Sequence, residues 1–447
     1  MLNDKNYFYN KKFFLRKLKL SDINQNYLDW FKNKNNTKFI LNSNFKNLEE
    51  LKIYYKEQLK KKNLMLGIFE TKTLTHVGNI KFEKIDLRKK SAYLGVFIGN
   101  TNFQNHKLGS RSLVEACNLI FKKTKIFRVF LSVRQNNLKA ISSYKNSGFY
   151  VHKIKKNAKL IMLRNYFLSK IIIGTANFEN KYGIVGKKKI SNIEKKKINV
   201  LCNKYNISTY DVSEAYNLNL KLINKMTQSN SIIYFKLLNS LKVFDLKKIL
   251  SYKKLFNKKI KYFIIHGYKQ TFKFKNKKII YNLKKIYKYL PLGISVYSPF
   301  EIYKSHSFFK FKTVQVPINI FDQRFLNLKI LNFLKKNNIE LCARSIYLQG
   351  VLLQNKNFIR KNFPGFFGEF SSFFNKFSSF KLRKILITHF IFQNVNIDKV
   401  VVGFENYKQF NELINMLDKF YSFKKIEFSK LRVNKLKLID PRNWDNE

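Results

Sequence analysis

Four polar residues in the second half of the chain stand where the sequence predicts the ends of β-strands. Asp211 lies near the end of the run ISTYDVS and Tyr216 just beyond it, Lys236 lies near the end of SIIYFKL, and His266 near that of KYFIIHG. A tyrosine hydroxyl is a weak acid at neutral pH, and a neighbouring ammonium lowers its pKa by favouring the phenolate. With Asp211 holding Lys236, and His266 orienting a carbonyl oxygen, this set could protonate that oxygen as hydride reaches its carbon.

The runs that carry these residues belong to a repeating pattern of strand and helix. Each strand-like run is followed by a longer segment that can hold a helix, and eight such units fill residues 166–447. This layout predicts a (β/α)8 TIM barrel, in which residues at the C-terminal strand ends converge on one mouth. The eight runs are KIIIGTANF, ISTYDVS, SIIYFKL, KYFIIHG, LGISVYS, TVQVPIN, IELCARS and KVVVGF.

Residues 1–165 show a different pattern and are predicted to form a separate α+β domain. The runs LMLGIFET, THVGNIKFEKID, SAYLGVFIG and IFRVFLSVRQ read as strands of a mixed, mostly antiparallel central sheet with flanking helices. After the third run, NTNFQNHKLGS leads into a helix whose apolar face holds Leu113, Ala116, Cys117 and Ile120. A loop that feeds a helix N-terminus directs unpaired backbone N–H groups at one point, which suits a pyrophosphate.

A second segment, NNLKAISSYKNSGF, follows the next strand and contains Asn137, Ala140, Tyr144, Gly148 and Phe149. Together with the opening LRKLKLSDINQNYLDW, these segments resemble the Gcn5-related N-acetyltransferase (GNAT) family, in particular the branch that acetylates ribosomal-protein N-termini or amino sugars. The resemblance implies an acetyl-CoA site. Tyr144 would be the general acid that protonates the departing thiolate, and Asn137 would hold the pantetheine arm. The pyrophosphate loop would contain Gln104, Lys107, Leu108, Gly109 and Ser110.

Two positions depart from the pattern of that family. Lys107 stands where relatives have the first glycine of the loop, and Tyr93 stands where many have a strand glutamate. Glu83 and Asp86, at the end of the preceding strand, are the substitutes considered for the general base. Exposed turn carboxylates with no catalytic part are the more common interpretation of such residues.

The four strand-end residues, in this order, resemble the catalytic tetrad of the aldo/keto reductase family. The segments GTANFENKYGI, SVYSP, ARSIYLQGVLL and VVVGFENYKQFNEL extend the resemblance along the whole second domain. It implies Tyr216 as proton donor, Asp211 and Lys236 as its tuners, and His266 as the residue that orients the substrate.

The same resemblance implies a nicotinamide cofactor, NADPH or NADH. Gln315 and Asn319 would contact the nicotinamide carboxamide. Glu405 stands where relatives that prefer NADPH often have a basic residue. The residues expected along the dinucleotide are Ser345, Gly350, Gly403 and Gln409.

Composition limits the remaining classes of function. The 88 basic and 27 acidic residues give a net charge of +61, but the lysines are spread along the whole chain, as codon bias toward A and T would produce. Nucleic-acid binding is therefore not expected. Three cysteines without ligand spacing indicate a reducing cytoplasm and neither a disulfide framework nor a zinc site. No uncharged run is long enough for a membrane span.

The stretch FPGFFGEFSSFFNKFSSF raises the choice between a partner surface and a buried helix face. Its phenylalanines recur at helical spacing, which favours the buried face. The positions concerned are Phe366, Phe370, Phe373, Phe377 and Phe380.

The two halves together predict a two-domain enzyme that acts on small amine and carbonyl substrates. The leading hypothesis is a bifunctional acetyltransferase and reductase whose substrate is an amino sugar or sugar nucleotide of surface-glycan synthesis. The alternative is an oxidoreductase with a degenerate acetyl-CoA-binding or regulatory domain.

Overall fold

The computed structural model describes most of the chain as two compact units. The first unit holds residues 1–169 and 204–206, and the second holds residues 170–203 and 207–447. The residues described are 7–8, 12–40, 44–104, 107–185, 188–216, 218–227, 230–237, 246–257, 259–266, 281, 290–419 and 426–444.

The first unit is built on one eight-stranded sheet with the strand order β1-β2-β3-β4-β5-β6-β8-β7. Neighbouring strands run antiparallel except β5 and β6, which are parallel, and the predicted mixed sheet is thereby confirmed. The strands are β1 (Tyr7–Phe8), β2 (Phe13–Lys17), β3 (Leu64–Glu70), β4 (His76–Asp86), β5 (Ser91–Phe97), β6 (Arg128–Arg134), β7 (Tyr150–Lys155) and β8 (Lys159–Asn165).

Amphipathic helices cover this sheet. Tyr27 and Trp30 of α1 and Leu51 of α3 pack with Phe14 and Met65 of the strands in one buried cluster. On α4 the predicted apolar face is correct, because Leu113, Ala116, Cys117 and Ile120 are all buried. The helices are α1 (Gln25–Lys32), α2 (Lys34–Thr37), α3 (Leu48–Lys60), α4 (Leu108–Lys123), α5 (Leu138–Asn146) and α6 (Tyr166–Ser169).

The one parallel pair of this sheet opens partway along its length. Strands β5 and β6 are paired from Ser91 to Tyr93 and from Arg128 to Phe130. Beyond that register, Val96–Ile98 and Ser132–Arg134 both border a cleft of about 600 Å³. We call this space the sheet cleft.

The second unit is a closed barrel of eight parallel strands in the order β10-β11-β12-β13-β14-β15-β16-β9, which confirms the predicted TIM barrel. Parallel strands covered on both faces read as nearly continuous apolar runs, and β10 and β14 are buried along their whole length. The strands are β9 (Ile171–Gly174), β10 (Thr209–Ser213), β11 (Ile232–Leu237), β12 (Ile260–His266), β13 (Leu292–Ser295), β14 (Thr313–Pro317), β15 (Glu340–Arg344) and β16 (Lys399–Val402).

Helices follow most of these strands in the described part of the chain. They are α7 (Ala176–Glu179), α8 (Asn192–Tyr205), α9 (Leu220–Met226), α10 (Leu246–Phe256), α11 (Pro299–Phe308), α12 (Leu328–Lys336), α13 (Lys356–Asn362), α14 (Pro364–Lys376), α15 (Phe380–Gln393), α16 (Tyr407–Leu417) and α17 (Leu436–Ile439).

The long phenylalanine stretch forms α14 and the start of α15. Phe366, Phe370, Phe373 and Phe377 are buried against Phe321 and its neighbours in one cluster. Phe380 differs from the prediction, since 49% of its surface is exposed. It is the first residue of α15, so it lies beyond the end of α14 and does not continue its buried face.

Asparagine begins six of the described helices. In each, the Oδ1 atom of the residue before the helix accepts a hydrogen bond from a backbone N–H of the first turn, which satisfies one of the donors that the helix itself leaves unpaired. These caps are Asn24 for α1, Asn47 for α3, Asn137 for α5, Asn327 for α12, Asn355 for α13 and Asn406 for α16.

Within the described residues, no helix combines the length and the apolar character that crossing a membrane requires.

Gly99 provides a stability test for the first unit. A Cβ atom at Gly99 would lie 2.0 Å from Cδ2 of the buried Trp30 ring. We expect Gly99→Ala to destabilise the first unit by about 1–3 kcal/mol, because the ring has to leave its packed position. Urea denaturation of the full chain, followed by circular dichroism, measures the loss.

Gly95→Ala is the matched control, since nothing lies within 4 Å of the Cβ position at Gly95. Equal midpoints for the two variants would contradict the packing of Trp30 against Gly99.

Candidate active sites

The mouth of the barrel brings together all four residues predicted to act on a carbonyl. Asp211 lies on β10, Lys236 on β11 and His266 at the end of β12, while Tyr216 ends a 3₁₀ turn, Glu214–Tyr216, that follows β10. All four border one cavity of about 620 Å³. We call it the barrel cavity.

A buried ion pair lies at the centre of this site. The Nζ atom of Lys236 is 2.9 Å from Oδ2 of Asp211 and 3.5 Å from the hydroxyl oxygen of Tyr216. Asp211 is 1% exposed and Lys236 is 4% exposed. Parallel pairing places Ser213 opposite Lys236, so the lysine is one pleat closer to the mouth than Asp211. The ammonium group can therefore contact both the carboxylate behind it and the tyrosine beside it.

Burial dominates the pKa of Tyr216. Desolvation raises the pKa of its hydroxyl to about 12, although the Lys236 ammonium acts in the opposite direction. The ammonium acts on this pKa in the predicted direction, but burial outweighs it, so the pKa lies above its ordinary value. For Lys236, burial disfavours the charged form, but the Asp211 carboxylate and Tyr216 raise its pKa above the ordinary value.

His266 is neutral across the physiological range. Burial is the main cause, and the positive charges of Lys236, Arg344 and Arg442 add to it, so that its pKa falls to about 3. Its Nδ1 atom is buried and has no hydrogen-bond partner among the described residues. A neutral imidazole in the cavity that also holds Tyr216 can donate one hydrogen bond to a substrate oxygen without competing for the proton.

The structure separates the residues predicted to hold the dinucleotide into two sets. Ser345, Gly350, Gly403 and Gln409 all border the barrel cavity. Gln315 and Asn319 do not, and both are fully buried.

The side-chain amides of both residues form hydrogen bonds inside the barrel wall. Gln315 donates from Nε2 to Oδ1 of Asp211 at 3.0 Å, so it holds the carboxylate from the side opposite Lys236. Asn319 accepts hydrogen bonds from the backbone N–H groups of Phe321 and Asp322 and thereby shapes the turn after β14. One atom of each amide, Oε1 of Gln315 and Nδ2 of Asn319, has no partner among the described residues.

The turn after β15 has an unusual backbone. Ser345, Leu348, Gln349 and Gly350 all have positive φ, at 56°, 49°, 51° and 95°. A left-handed conformation costs a residue with a side chain roughly 1–2 kcal/mol. Such strain is typical of segments whose backbone is shaped for a ligand, and Ser345, Gln349 and Gly350 border the barrel cavity.

Arg344 and Tyr297 were not among the predicted residues, yet both border the barrel cavity. The sequence did contain the signal for Arg344, because it is a charged residue near the end of the seventh strand-like run, as Lys236 and His266 are in theirs. Tyr297 lies near the end of the fifth run, LGISVYS, but one tyrosine gives no comparable signal in a chain with 25 tyrosines.

In the first unit, every residue predicted to bind acetyl-CoA borders the sheet cleft. They are Gln104, Lys107, Leu108, Gly109, Ser110, Asn137 and Tyr144. Lys107 precedes α4 with a φ of 56°, a left-handed conformation that glycine adopts most readily, and no described side chain caps the N-terminus of this helix. The backbone N–H groups of its first turn are therefore available to an anion in the cleft.

The other cleft residues have partners that fix their positions. Gln104 donates from Nε2 to Oδ1 of Asn36 at 2.8 Å and to the carbonyl of Ile98 at 2.9 Å. Asn137 caps α5 by accepting from the N–H of Ala140. Burial raises the pKa of the Tyr144 hydroxyl, so it stays protonated and can act as a proton donor.

No aspartate or glutamate borders the sheet cleft in the part of the chain that the structure describes. Glu83 is ion-paired with Lys81 at 2.8 Å, and Asp86 accepts from the N–H groups of Arg88 and Lys89 in the following turn. Tyr93 stacks on Phe130 with ring centres 5.4 Å apart. None of the three reaches the cleft, which supports the interpretation of both acids as turn and surface carboxylates.

Comparison with known proteins gives one match for each unit. Residues 12–150 match the family model described as acetyltransferase (GNAT) domain. Residues 170–432 match the model described as aldo/keto reductase family. No curated protein sequence matches the chain.

Solved structures similar to part of the chain include acetyltransferases. RimL, a ribosomal L7/L12 alpha-N-protein acetyltransferase in complex with coenzyme A, is 16% identical over 36% of this chain and 98% of its own, with a TM-score of 0.33. The microcin C7 self-immunity acetyltransferase MccE, in complex with acetyl-CoA and AMP, is 19% identical over 35% of this chain and 93% of its own, with a TM-score of 0.32. Spermidine N-acetyltransferase from Vibrio cholerae, in complex with CoA and spermine, is 17% identical over 35% and 96%, with a TM-score of 0.31.

The low pKa of His266 predicts a pH dependence of stability. The unfolded chain binds a proton at this residue below about pH 6.5, whereas the folded protein does not bind it until about pH 3. The unfolded state therefore takes up more protons between these values, and stability falls as the pH falls through this window. The expected slope from this histidine is about 1.4 kcal/mol per pH unit.

His266→Gln removes that contribution, so the variant should lose less stability than the parent between pH 6.5 and pH 5. Urea midpoints measured at several pH values give the two slopes. Parallel slopes would show that His266 already binds its proton in the folded protein.

Proposed function

Because the chain belongs to the aldo/keto reductase family through residues 170–432, we propose that the barrel reduces a carbonyl compound with a nicotinamide cofactor. The observation that carries the proposal is the distance of 2.9 Å from Lys236 Nζ to Asp211 and of 3.5 Å to the Tyr216 hydroxyl, inside a cavity large enough for a small substrate. An acetyltransferase domain precedes the barrel in the same chain.

Each residue of the barrel site has a distinct part in this proposal. Tyr216 donates its proton to the carbonyl oxygen, and the Lys236 ammonium stabilises the phenolate that remains. Asp211 keeps Lys236 charged, and Gln315 keeps Asp211 in place. His266, neutral and beside the mouth, orients the carbonyl oxygen toward the tyrosine.

The barrel cavity has a wall that suits a dinucleotide. When bound there, NADH or NADPH would supply the hydride. A Cβ at Gly403 would meet no atom closer than 3.9 Å, so the backbone at this position is open to a ligand. Gln409 accepts a hydrogen bond from the backbone N–H of Glu405 and donates one from Nε2 to the Glu405 carboxylate. Glu405 borders the cavity. Since this carboxylate disfavours a 2′-phosphate, both cofactors belong in any binding test.

The sheet cleft is proposed to bind acetyl-CoA and to transfer the acetyl group to an amine. The uncapped N-terminus of α4 and the Lys107 side chain would receive the pyrophosphate, and the gap between β5 and β6 would admit the pantetheine arm. Tyr144 would protonate the thiolate of the departing CoA. Cleavage of the thioester then leaves the acetyl group on the amine nitrogen.

The fusion supports consecutive steps on one metabolite. We propose an amino sugar or sugar nucleotide of surface-glycan synthesis as that metabolite, handled in the cytoplasm by an acetyltransferase domain of residues 1–165 and a reductase domain of residues 166–447. The hypothesis would be abandoned if the protein acetylated peptide N-termini and ignored amino sugars.

One observation favours a second candidate. Among the described residues of the sheet cleft there is no carboxylate to accept a proton from the attacking amine. In this second proposal the first unit binds acetyl-CoA without turnover, and the chain is an oxidoreductase with a regulatory domain.

Tyr216→Phe tests the reductase. We expect kcat for carbonyl reduction to fall by about 10²–10⁴-fold, because the proton donor is lost, while the dissociation constant of the cofactor stays within about twofold. Stopped-flow measurement of cofactor oxidation and calorimetric titration provide the two values. Tyr182→Phe is the control, since this tyrosine also borders the cavity, with its ring centre 6.2 Å from that of Tyr216, and the variant keeps the ring. Full activity in Tyr216→Phe would end the proposal.

Tyr144→Phe separates the two candidates for the first unit. If this unit turns over, the variant should bind acetyl-CoA like the parent but release CoA about 10²–10⁴-fold more slowly across a panel of amino sugars and amines. A thiol reagent measures the CoA released. Parent protein that binds acetyl-CoA and releases no CoA with any amine would favour the regulatory domain instead.

A further inference from the structure

The barrel cavity contains one cation that lacks a carboxylate partner among the described residues. Lys236 is paired with Asp211 at 2.9 Å, and Lys384 is paired with Glu412 at 2.7 Å. Arg344 borders the same cavity and forms no ion pair with any described residue. An unpaired guanidinium in a partly dehydrated site is unfavourable unless a ligand brings a negative charge to it.

The contacts of Arg344 fix its orientation but leave donors free. Its guanidinium carbon lies 4.1 Å from the centre of the Tyr297 ring. One terminal nitrogen donates to the carbonyl of Val296 at 3.3 Å, and Nε is buried and has no partner in the part of the chain that the structure describes. A guanidinium over an aromatic ring still has N–H groups that can bind a planar or tetrahedral anion.

A neighbouring arginine differs from Arg344 because it has a carboxylate partner among the described residues. Arg442 also lies against the Tyr297 ring, at 3.4 Å from its centre, but its guanidinium is ion-paired with Asp440. The two cations therefore share one aromatic platform, and only one of them is neutralised within the described chain.

The position of Arg344 relative to the reacting groups indicates which ligand it meets. Its charge acts on both His266 and Lys236. Arg344 borders the cavity together with Tyr216 and His266, the two residues proposed to meet the carbonyl oxygen.

We infer that Arg344 binds a carboxylate or phosphate carried by the carbonyl substrate of the barrel, so that the enzyme selects anionic aldehydes or ketones over neutral ones. The inference rests on the proposed reductase activity of the same site. It narrows the substrate class to carbonyl compounds with an acidic group near the reacting carbon. A sugar acid, a sugar phosphate and a nucleotide-linked sugar all fall within that class.

Matched pairs of aldehydes test the inference. The parent and Arg344→Gln are compared on 4-carboxybenzaldehyde against benzaldehyde, and on glyceraldehyde 3-phosphate against glyceraldehyde. We expect the ratio of kcat/KM for the charged member over the neutral one to fall by about 10- to 100-fold in the variant, mostly through KM. The pair with the larger change identifies carboxylate or phosphate as the preferred group.

Two further variants control for charge and for general damage. Arg344→Lys keeps the charge but not the two parallel donors, so its ratio should lie between those of the parent and Arg344→Gln. Lys384→Gln removes a cavity cation that is already paired, and its ratio should stay within about twofold of the parent value. An equal drop in Lys384→Gln would attribute the effect to the overall field of the cavity and overturn the inference.

Other outcomes also decide the question. Parent protein that shows no preference for charged aldehydes overturns it, as does an Arg344→Gln variant that loses cofactor affinity with an unchanged ratio, because Arg344 would then contact the dinucleotide. If the parent binds no nicotinamide cofactor, the proposed function fails on its own. In that case calorimetry with benzoate decides the anion site: weaker binding to Arg344→Gln supports it, and equal binding or none overturns it.

Discussion

The ion pair between Asp211 and Lys236 is the interaction on which the barrel site depends. Removing two charged groups from water costs several kcal/mol for each ion, and only close geometry with further hydrogen bonds offsets that cost. Here the offset comes from the lysine at 2.9 Å and from the Gln315 amide at 3.0 Å on the other carboxylate oxygen. Both distances are fixed by three different strands of a closed barrel. The active-site chemistry therefore requires a rigid wall, and the parallel strands provide it.

Below that pair, the barrel interior excludes water with an apolar layer. Ile172, Tyr234, Ile264 and Cys342 pack together there with Tyr262. A second polar group lies at the opposite end of the strands, where Lys261 contacts Glu340 at 3.0 Å. The apolar layer separates the two ion pairs. The low-dielectric environment of Lys236 and Tyr216 therefore depends on the packed barrel interior as well as on the residues at the mouth.

The sheet cleft works by a different principle, since it relies on backbone groups. Its proposed pyrophosphate site consists of the first turn of α4 and a residue in the left-handed conformation, and its opening comes from the divergence of β5 and β6. Side chains such as Gln104 act there mainly by holding the loop to Ile98. Substitutions in this cleft therefore change the position of a chain segment, whereas substitutions in the barrel remove a charge or a proton.

Sequence patterns predicted the parts that depend on chain direction and periodicity. The strand-end rule found Asp211, Lys236 and His266, because the C-terminal ends of parallel strands always meet at one mouth. What the patterns did not show depends on tertiary surroundings. Gln315 stands near a strand end like the others, but its side chain turns inward to Asp211, and the high pKa of Tyr216 follows from burial that no local pattern encodes. Phe380 was misassigned because helical spacing continued past the end of α14.

The asparagine caps connect the composition of the chain to its vulnerability. Asparagine and lysine codons differ in the third base alone, so one substitution can turn any of the six caps into lysine. Such a change removes the acceptor for the first-turn N–H and places a positive charge at the positive end of the helix dipole, at a cost of about 1–2 kcal/mol. A nucleotide bias that enriches both residues thus supplies the helix starts and also a one-base route to losing them. Selection against that one replacement has to act separately at each of these six helices.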